Sequence, residues 1–326
     1  PYITSIRLNG LTMEDCKDIG VHMIGAEHCT VTACSFRNVG TAVWWNLDTH
    51  YCRVSGCDIT QTGGRALGGG SGPGESYRST YNVIDNNYIY DCGWVEQGYG
   101  AIEMWCASNY TVAHNRIHDG PRHGIGANAC ILTDIAYNDV HHMNNETEDT
   151  GLIVTVTSWG GWDRWFTPEG SMEARGNTIH HNLLHDSGGY GKVAPGDWRY
   201  PYYSLGIYMD LQSSGFYVHD NVVYNTYNCG LFTGGGLDNI YENNVVVDSV
   251  QSQFSTHQWS DRVTMARNKV RRNVFSFNNS SSLYFSAALP FNNSQITFSQ
   301  NLVYNHGYAV KVSAPGAAST WAQWTG

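Results

Sequence analysis

A short phrase, Asn-x-apolar, recurs along the chain at Asn115, Asn138, Asn182, Asn221, Asn244, Asn273 and Asn301. Upstream the same slot is read at Asn9, Cys34, Cys57 and Asn87, so that successive spacings are 25, 23, 30, 28, 23, 44, 39, 23, 29 and 28 residues. The segments between are short β-rich runs bounded by polar turns, and none carries apolar residues at i, i+3, i+4 and i+7 over the length a helix needs. A period of this size marks a solenoid whose units bury their apolar sides only by stacking on one another. The expected fold class is therefore all-β, a solenoid of parallel strands with roughly ten to eleven coils.

Stacking places equivalent residues about 4.8 Å apart. The recurring asparagines then form a ladder at an inward turn, where each side-chain amide satisfies turn backbone and its neighbours in the stack. Their expected role is structural.

One period from residue 9 to 301 predicts a single β-helix domain over 1–326. Its two long intervals hold inserted loops at about 156–175 and 188–204, and a capping segment is expected upstream of Pro1. Only 14% of residues are charged, the net charge is −10 and there are four lysines, which excludes nucleic acid as a partner and disfavours polyanions. A neutral or weakly charged ligand fits this balance, and the chain is expected to act as a monomer. No run of about 20 apolar residues exists to cross a membrane. The nine cysteines repeat at one-coil spacings, as in Cys29 and Cys52 or Cys34 and Cys57, which favours packed thiols over bridges. With no Cys-x-x-Cys, a structural zinc site is not expected, and the chain is expected to work without metal or cofactor. The glycine-rich run over 62–75 lacks a Lys-Ser/Thr ending and reads as a flexible turn.

Aligning the strands on Val43, Leu67, Ile102, Ile125, Leu152 or Ile153, Ile207 and Leu231 puts the next residue outward by strand alternation. That column reads Trp44, Gly68, Glu103, Gly126, Ile153 or Val154, Tyr208 and Phe232. Aromatic rings beside glycine gaps suit the apolar faces of sugars, or an insertion packs over them; both readings stay open. The candidate substrate-binding residues are Glu103, Arg122, His123 and Tyr208, with Trp159, Trp162, Asp163 and Arg164 of the first insertion walling in a pocket.

Two acidic motifs, Glu146-Thr-Glu-Asp149-Thr-Gly151 and Gly206-Ile-Tyr-Met-Asp210, stand where the rhythm is interrupted, with Arg175-Gly176-Asn177-Thr-Ile-His180-His-Asn182-Leu-Leu-His185-Asp186 between them and Gly235-Gly236-Leu-Asp238-Asn239 after them. With these motifs the chain resembles the right-handed parallel β-helix carbohydrate-active enzymes, in particular glycoside hydrolase family 141 and, more distantly, the β-xylosidases of family 120. Where that family has a second aspartate after Asp210 this chain has Leu211, and Leu152-Ile153-Val154 replaces the family's Ala-Ile-Tyr.

The resemblance implies a right-handed coil and glycoside hydrolysis of a plant or microbial oligo- or polysaccharide by a secreted or periplasmic protein. Such hydrolysis needs one carboxylic acid and a second carboxylate. Asp149, Asp210 and Glu146 are the catalytic candidates. Straight strands would hold Asp149 and Asp210 about 20 Å apart, so either Thr150-Gly151 bends Asp149 back or Asp163 or Glu169 partners Asp210. A polysaccharide lyase acting on a uronate polymer, which would add calcium, and a non-catalytic carbohydrate-binding solenoid are the alternatives.

Overall fold

The structure is a computed structural model that describes residues 3–71, 77–157, 173–257, 264–288, 290 and 292–315. Among these residues there is no helix, and the strands stack in parallel into three faces. The first face is an eleven-stranded sheet that runs from Arg7–Asn9 to Ile296–Ser299. The second and third faces form one larger sheet because two long strands, Thr12–Met23 and Ser35–Trp45, run through the corner between them. Beyond these two, each coil contributes a separate strand to the second face, such as Asp139–His141, and to the third, such as Thr150–Val156.

Each short strand sends its middle residue inward. Val112, Ile135, Ile179 and Val218 stack on the first face, and Ile117, Val140, Leu184 and Val223 on the second, all fully buried. One coil alone could not bury these side chains, so the stack is the unit of stability.

The asparagine ladder holds the corner between the first and second faces. Asn138 Nδ2 donates to Asn182 Oδ1 at 2.9 Å and to the Val112 carbonyl at 2.9 Å, and its backbone N–H donates to the same Asn182 Oδ1. The pattern repeats from Asn87 through Asn115, Asn182, Asn221, Asn244 and Asn273 to Asn301. A second, shorter ladder precedes the first face, where Asn239 N–H donates to Asn268 Oδ1 and Phe216 N–H to Asn239 Oδ1.

Two sequence expectations are corrected here. Asn9 is not in the ladder slot: it pairs with Thr32 on the first face, and Leu11 stands one residue before Thr12 as Cys34 stands before its partner Ser35. The glycine-rich run is not all turn either, because Leu67–Gly70 is a strand paired with Ile102–Trp105. Gly68, Gly69 and Gly70 have φ of 146°, 154° and 142°, a region open essentially to glycine alone. A Cβ at Gly69 would lie 2.4 Å from Trp45 Cδ1, so the missing side chain makes room for the fully buried indole below it. All nine cysteines are free thiols, and eight are buried.

Candidate active site

The outward column of the third face has the register that strand alternation predicts. Ile125 pairs with Ile153 and Ile153 with Ile207, so Ile153 rather than Leu152 is the aligned apolar residue and Val154 the outward one. The column is nevertheless covered. Tyr208 is 1% exposed, and with Val154, Phe232, Leu205 and Cys229 it forms an apolar cluster separate from the interior core.

Asp149 and Asp210 stand at opposite ends of two paired strands. Thr150 pairs with Ser204 and Val156 with Asp210, so Thr150 and Gly151 continue the ladder and no bend brings Asp149 back. The exposed Asp149 sits at the corner with φ 54°, its N–H bonded to the Tyr203 carbonyl at 2.9 Å. A side chain of the second strand reaches back toward Asp149. Tyr208 donates its hydroxyl to Asp149 Oδ1 at 2.8 Å. Burial, then the negative charges of Asp210 and Asp149, push the Tyr208 phenol far above its ordinary value. Both carboxylates thus act on one hydroxyl.

Tyr203 belongs to the same group, its phenol raised by burial and then by Asp149, Cys229 and Asp210. Sequence reasoning passed over it as part of an insertion wall. Glycines make the space: a Cβ at Gly151 would lie 2.8 Å from Tyr208 Cβ, and one at Gly234 would lie 2.9 Å from Asp210 Oδ1. Beside this cluster opens a cavity of about 250 Å³ lined by Tyr203, Phe232, Asn228, Gln251, Ser255 and His257 among others. Burial lowers the His257 pKa, and the described residues lining this cavity include no lysine or arginine.

Glu103 and His123 are both buried and meet each other rather than solvent. Glu103 accepts from His123 Nε2 at 2.8 Å, from the Gly100 N–H at 2.9 Å and from Asn128 Nδ2. Burial would raise its carboxyl, but the charge and hydrogen bond of His123, the Gly100 amide and the charge of Arg65 outweigh this and hold it below its ordinary value. Arg65 is itself clamped between Trp44 and Tyr99, 4.4 and 3.8 Å from their ring centres. Arg122 reaches the carbonyls of Glu148 and Asp149 at 3.5 and 3.3 Å, tying the corner that carries Asp149. Glu146 is exposed and accepts from Gln97 Nε2.

Trp159, Trp162, Asp163, Arg164 and Glu169 lie outside the described residues. The second insertion carries an antiparallel hairpin, Gly191–Ala194 with Asp197–Arg199, closed by a Tyr190–Trp198 stack at 5.2 Å. Its Gly191 abuts Glu148 and Tyr202, which sets the hairpin beside the Asp149 corner. Among the described residues, Asp139 with His141 and His185, and His181 with His219 and Asp220, each bring three metal-ligand atoms within 4.8 Å of one another. Both groups lie on the first and second faces and the corner between them, away from Asp149 and Asp210.

Residues 19–162 match the family described as right handed beta helix region. The Azotobacter vinelandii mannuronan C-5 epimerase AlgE4 A-module is similar in structure, with TM-score 0.62 and 12% identity over 98% of this chain and 91% of that one. The chain is a right-handed parallel β-helix. The periplasmic alginate epimerase AlgG (TM-score 0.61, 12% identity, 93% of this chain and 73% of that one) shares this β-helix. So does PfbA, a surface adhesin of Streptococcus pneumoniae (TM-score 0.58, 12% identity, 86% and 71%). No curated protein sequence matches the chain. At such identities the likeness is one of fold.

Proposed function

We propose that this β-helix is a glycoside hydrolase acting on a neutral glycan outside the cytoplasm, with Asp210 and Asp149 as its carboxyl pair. The observation that carries this reading is the Tyr208 hydroxyl, bonded to Asp149 from a residue two places before Asp210 on the same strand. Glycoside hydrolysis uses two carboxyl groups roughly 5 to 9.5 Å apart, one protonated and one ionised. Asp210 is 9% exposed, and burial favours the neutral form of a carboxyl. It is assigned as the general acid that protonates the leaving oxygen. Asp149, exposed and accepting the Tyr208 hydrogen bond, is assigned as the ionised partner. Tyr208 orients that carboxylate, and its own raised pKa keeps its proton in place throughout. The adjoining cavity offers amide, hydroxyl and aromatic groups, the mixture that fits sugar hydroxyls and ring faces. Glu146 stands three residues before Asp149 at the mouth of the site.

The family 141 resemblance supports hydrolysis, whereas the named activity of two similar structures is epimerisation of mannuronan or alginate. Arg122 at the Asp149 corner is the observation that favours a uronate substrate, since a guanidinium can hold a carboxylate. The cavity walls speak against it, because the described lining residues include no lysine or arginine. A screen of aryl glycosides and polysaccharides on the purified protein decides. New reducing ends without ultraviolet absorbance indicate hydrolysis, an unsaturated product indicates a lyase, and solvent deuterium entering an uncleaved polymer indicates epimerisation. Binding without any of these would make the protein a carbohydrate-binding solenoid and end the enzyme reading.

A further inference from the structure

A groove follows the corner between the second and third faces through the N-terminal half of the solenoid. Its first part is a cavity of about 600 Å³ whose lining includes Asp15, Lys17, Asn38, Gln61 and Trp94. Its second part, of about 240 Å³, is lined by Asp91, Asp119, Asn145, Glu146 and again Trp94. These residues come from six successive coils, so at one strand spacing per coil the groove is about 24 Å long. It ends at Glu146, three residues from Asp149.

Trp94 stands where the two cavities meet. It is 63% exposed, a large apolar ring in water, yet its position is fixed. Its Nε1 donates to the Asp91 carbonyl at 2.9 Å, and its backbone N–H donates to the Thr62 carbonyl at 3.1 Å. The neighbouring Val95 and Glu96 N–H groups both bond the Gly63 carbonyl, and Gln97 donates to Glu146. A loop that leaves coil four is thereby strapped at one end to the preceding coil and at the other to the residue beside the candidate active site. A held, exposed indole flanked by amide and carboxylate side chains is the arrangement that receives a sugar ring face and its hydroxyls.

The charge of the groove selects among sugars. Its second part carries Asp91, Asp119 and Glu146 with no cation among its described lining residues, and the first part has Lys17 against Asp15. A polyuronate would be repelled there.

We infer that this groove is a run of subsites for a neutral polysaccharide chain, with Trp94 as its central stacking platform. The inference rests on the glycosidase reading only for its direction, in that the chain would be led toward Asp149 and Asp210. The substrate is then a polymer held over several residues.

The test is electrophoresis of the full chain through gels containing arabinoxylan, galactomannan, galactan or dextran, with alginate as the anionic control. At least one neutral polymer is expected to retard the protein, alginate is not, and Trp94→Ala should weaken binding about tenfold or more, with Trp94→Phe restoring most of it. Retardation that depends on Trp94 without turnover of any glycan would uphold the groove while removing the glycosidase reading. Turnover of aryl glycosides with no neutral polymer retarded would overturn the groove and leave the glycosidase standing. Equal retardation by alginate, or of folded Trp94→Ala and wild type, would also overturn it.

Discussion

The Tyr208 hydroxyl donates to Asp149 Oδ1 at 2.8 Å across 59 residues of sequence, from a ring that is itself almost wholly buried. This bond takes the side of the phenol that faces Asp149, and Asp210, two residues beyond Tyr208, acts on it electrostatically. Removing the carboxyl and removing the phenol should therefore fail differently.

Asp210→Asn keeps size and hydrogen bonding but deletes the proton donor, and general acid–base help is worth about 10² to 10⁴ in rate. On a confirmed substrate kcat should fall at least about a hundredfold with the melting temperature nearly unchanged. Tyr208→Phe leaves both carboxylates and loses only the bond that orients Asp149. Its activity should fall less, with an altered pH–rate profile. Full activity in Asp210→Asn would exclude Asp210 as the acid.

Glu103 predicts acid sensitivity at a place remote from the chemistry. Its folded-state pKa lies below the ordinary 4.5, so its contribution to stability is complete above that value and is lost as pH falls through the folded one. Glu103→Gln should lower the melting temperature at pH 7 and flatten its decline below about pH 4.5. Melting curves at pH 3 to 7 that stay parallel for the two proteins would contradict this.

The ladder asparagines are expected to matter for stability alone. Asn138→Ala and Asn221→Ala each strip partners from buried backbone and amide groups, at a cost of about 1 to 3 kcal/mol. Denaturant titration measures the loss, and activity per folded molecule should be retained. Normal stability with lost turnover would move these residues into the site.

Thiol reactivity provides a fourth check. Burial pushes Cys52 and Cys57 up to about 11 and Cys92 up to about 12, and eight of the nine cysteines are buried. A disulfide-exchange reagent at pH 8 should label about one thiol, at the half-buried Cys16, before denaturation and all nine after it. Rapid labelling of several thiols in the native state would show that the coils open.

What the sequence made legible was the repeat and its phase. The column from Val43 to Leu231 could be aligned because a large apolar residue marks every coil, and Asn115 to Asn301 could be stacked because an amide satisfies its own kind. Phase failed at Asn9, where Leu11 breaks the asparagine rule; at Leu67–Gly70 the phase held, but the turn reading did not, because three glycines form a strand in a backbone region that strand propensity does not describe. The candidate carboxylates were legible as motifs, but the bond from Tyr208 to Asp149 was not, because strand arithmetic follows backbone and takes no account of the reach of a ring. Burial of Glu103, His123 and Tyr208 depends on what covers the third face, and alternation along a strand says nothing about a cover. Tyr203 was hidden because it lies near the end of an insertion, where no period applies.

The intervals from Asn138 to Asn182 and from Asn182 to Asn221 are nearly twice as long as that from Asn221 to Asn244, yet all three amide contacts measure 2.9 Å. Axial advance is thus independent of how much chain is spent per turn. In the second insertion the extra residues leave the stack as the hairpin over residues 191–199, like slack let out from a spool whose pitch is fixed. The parts that cover the third face can therefore lengthen, shrink or be exchanged without moving Asp149 or Asp210 along the axis, and a new specificity could be acquired here without a new fold.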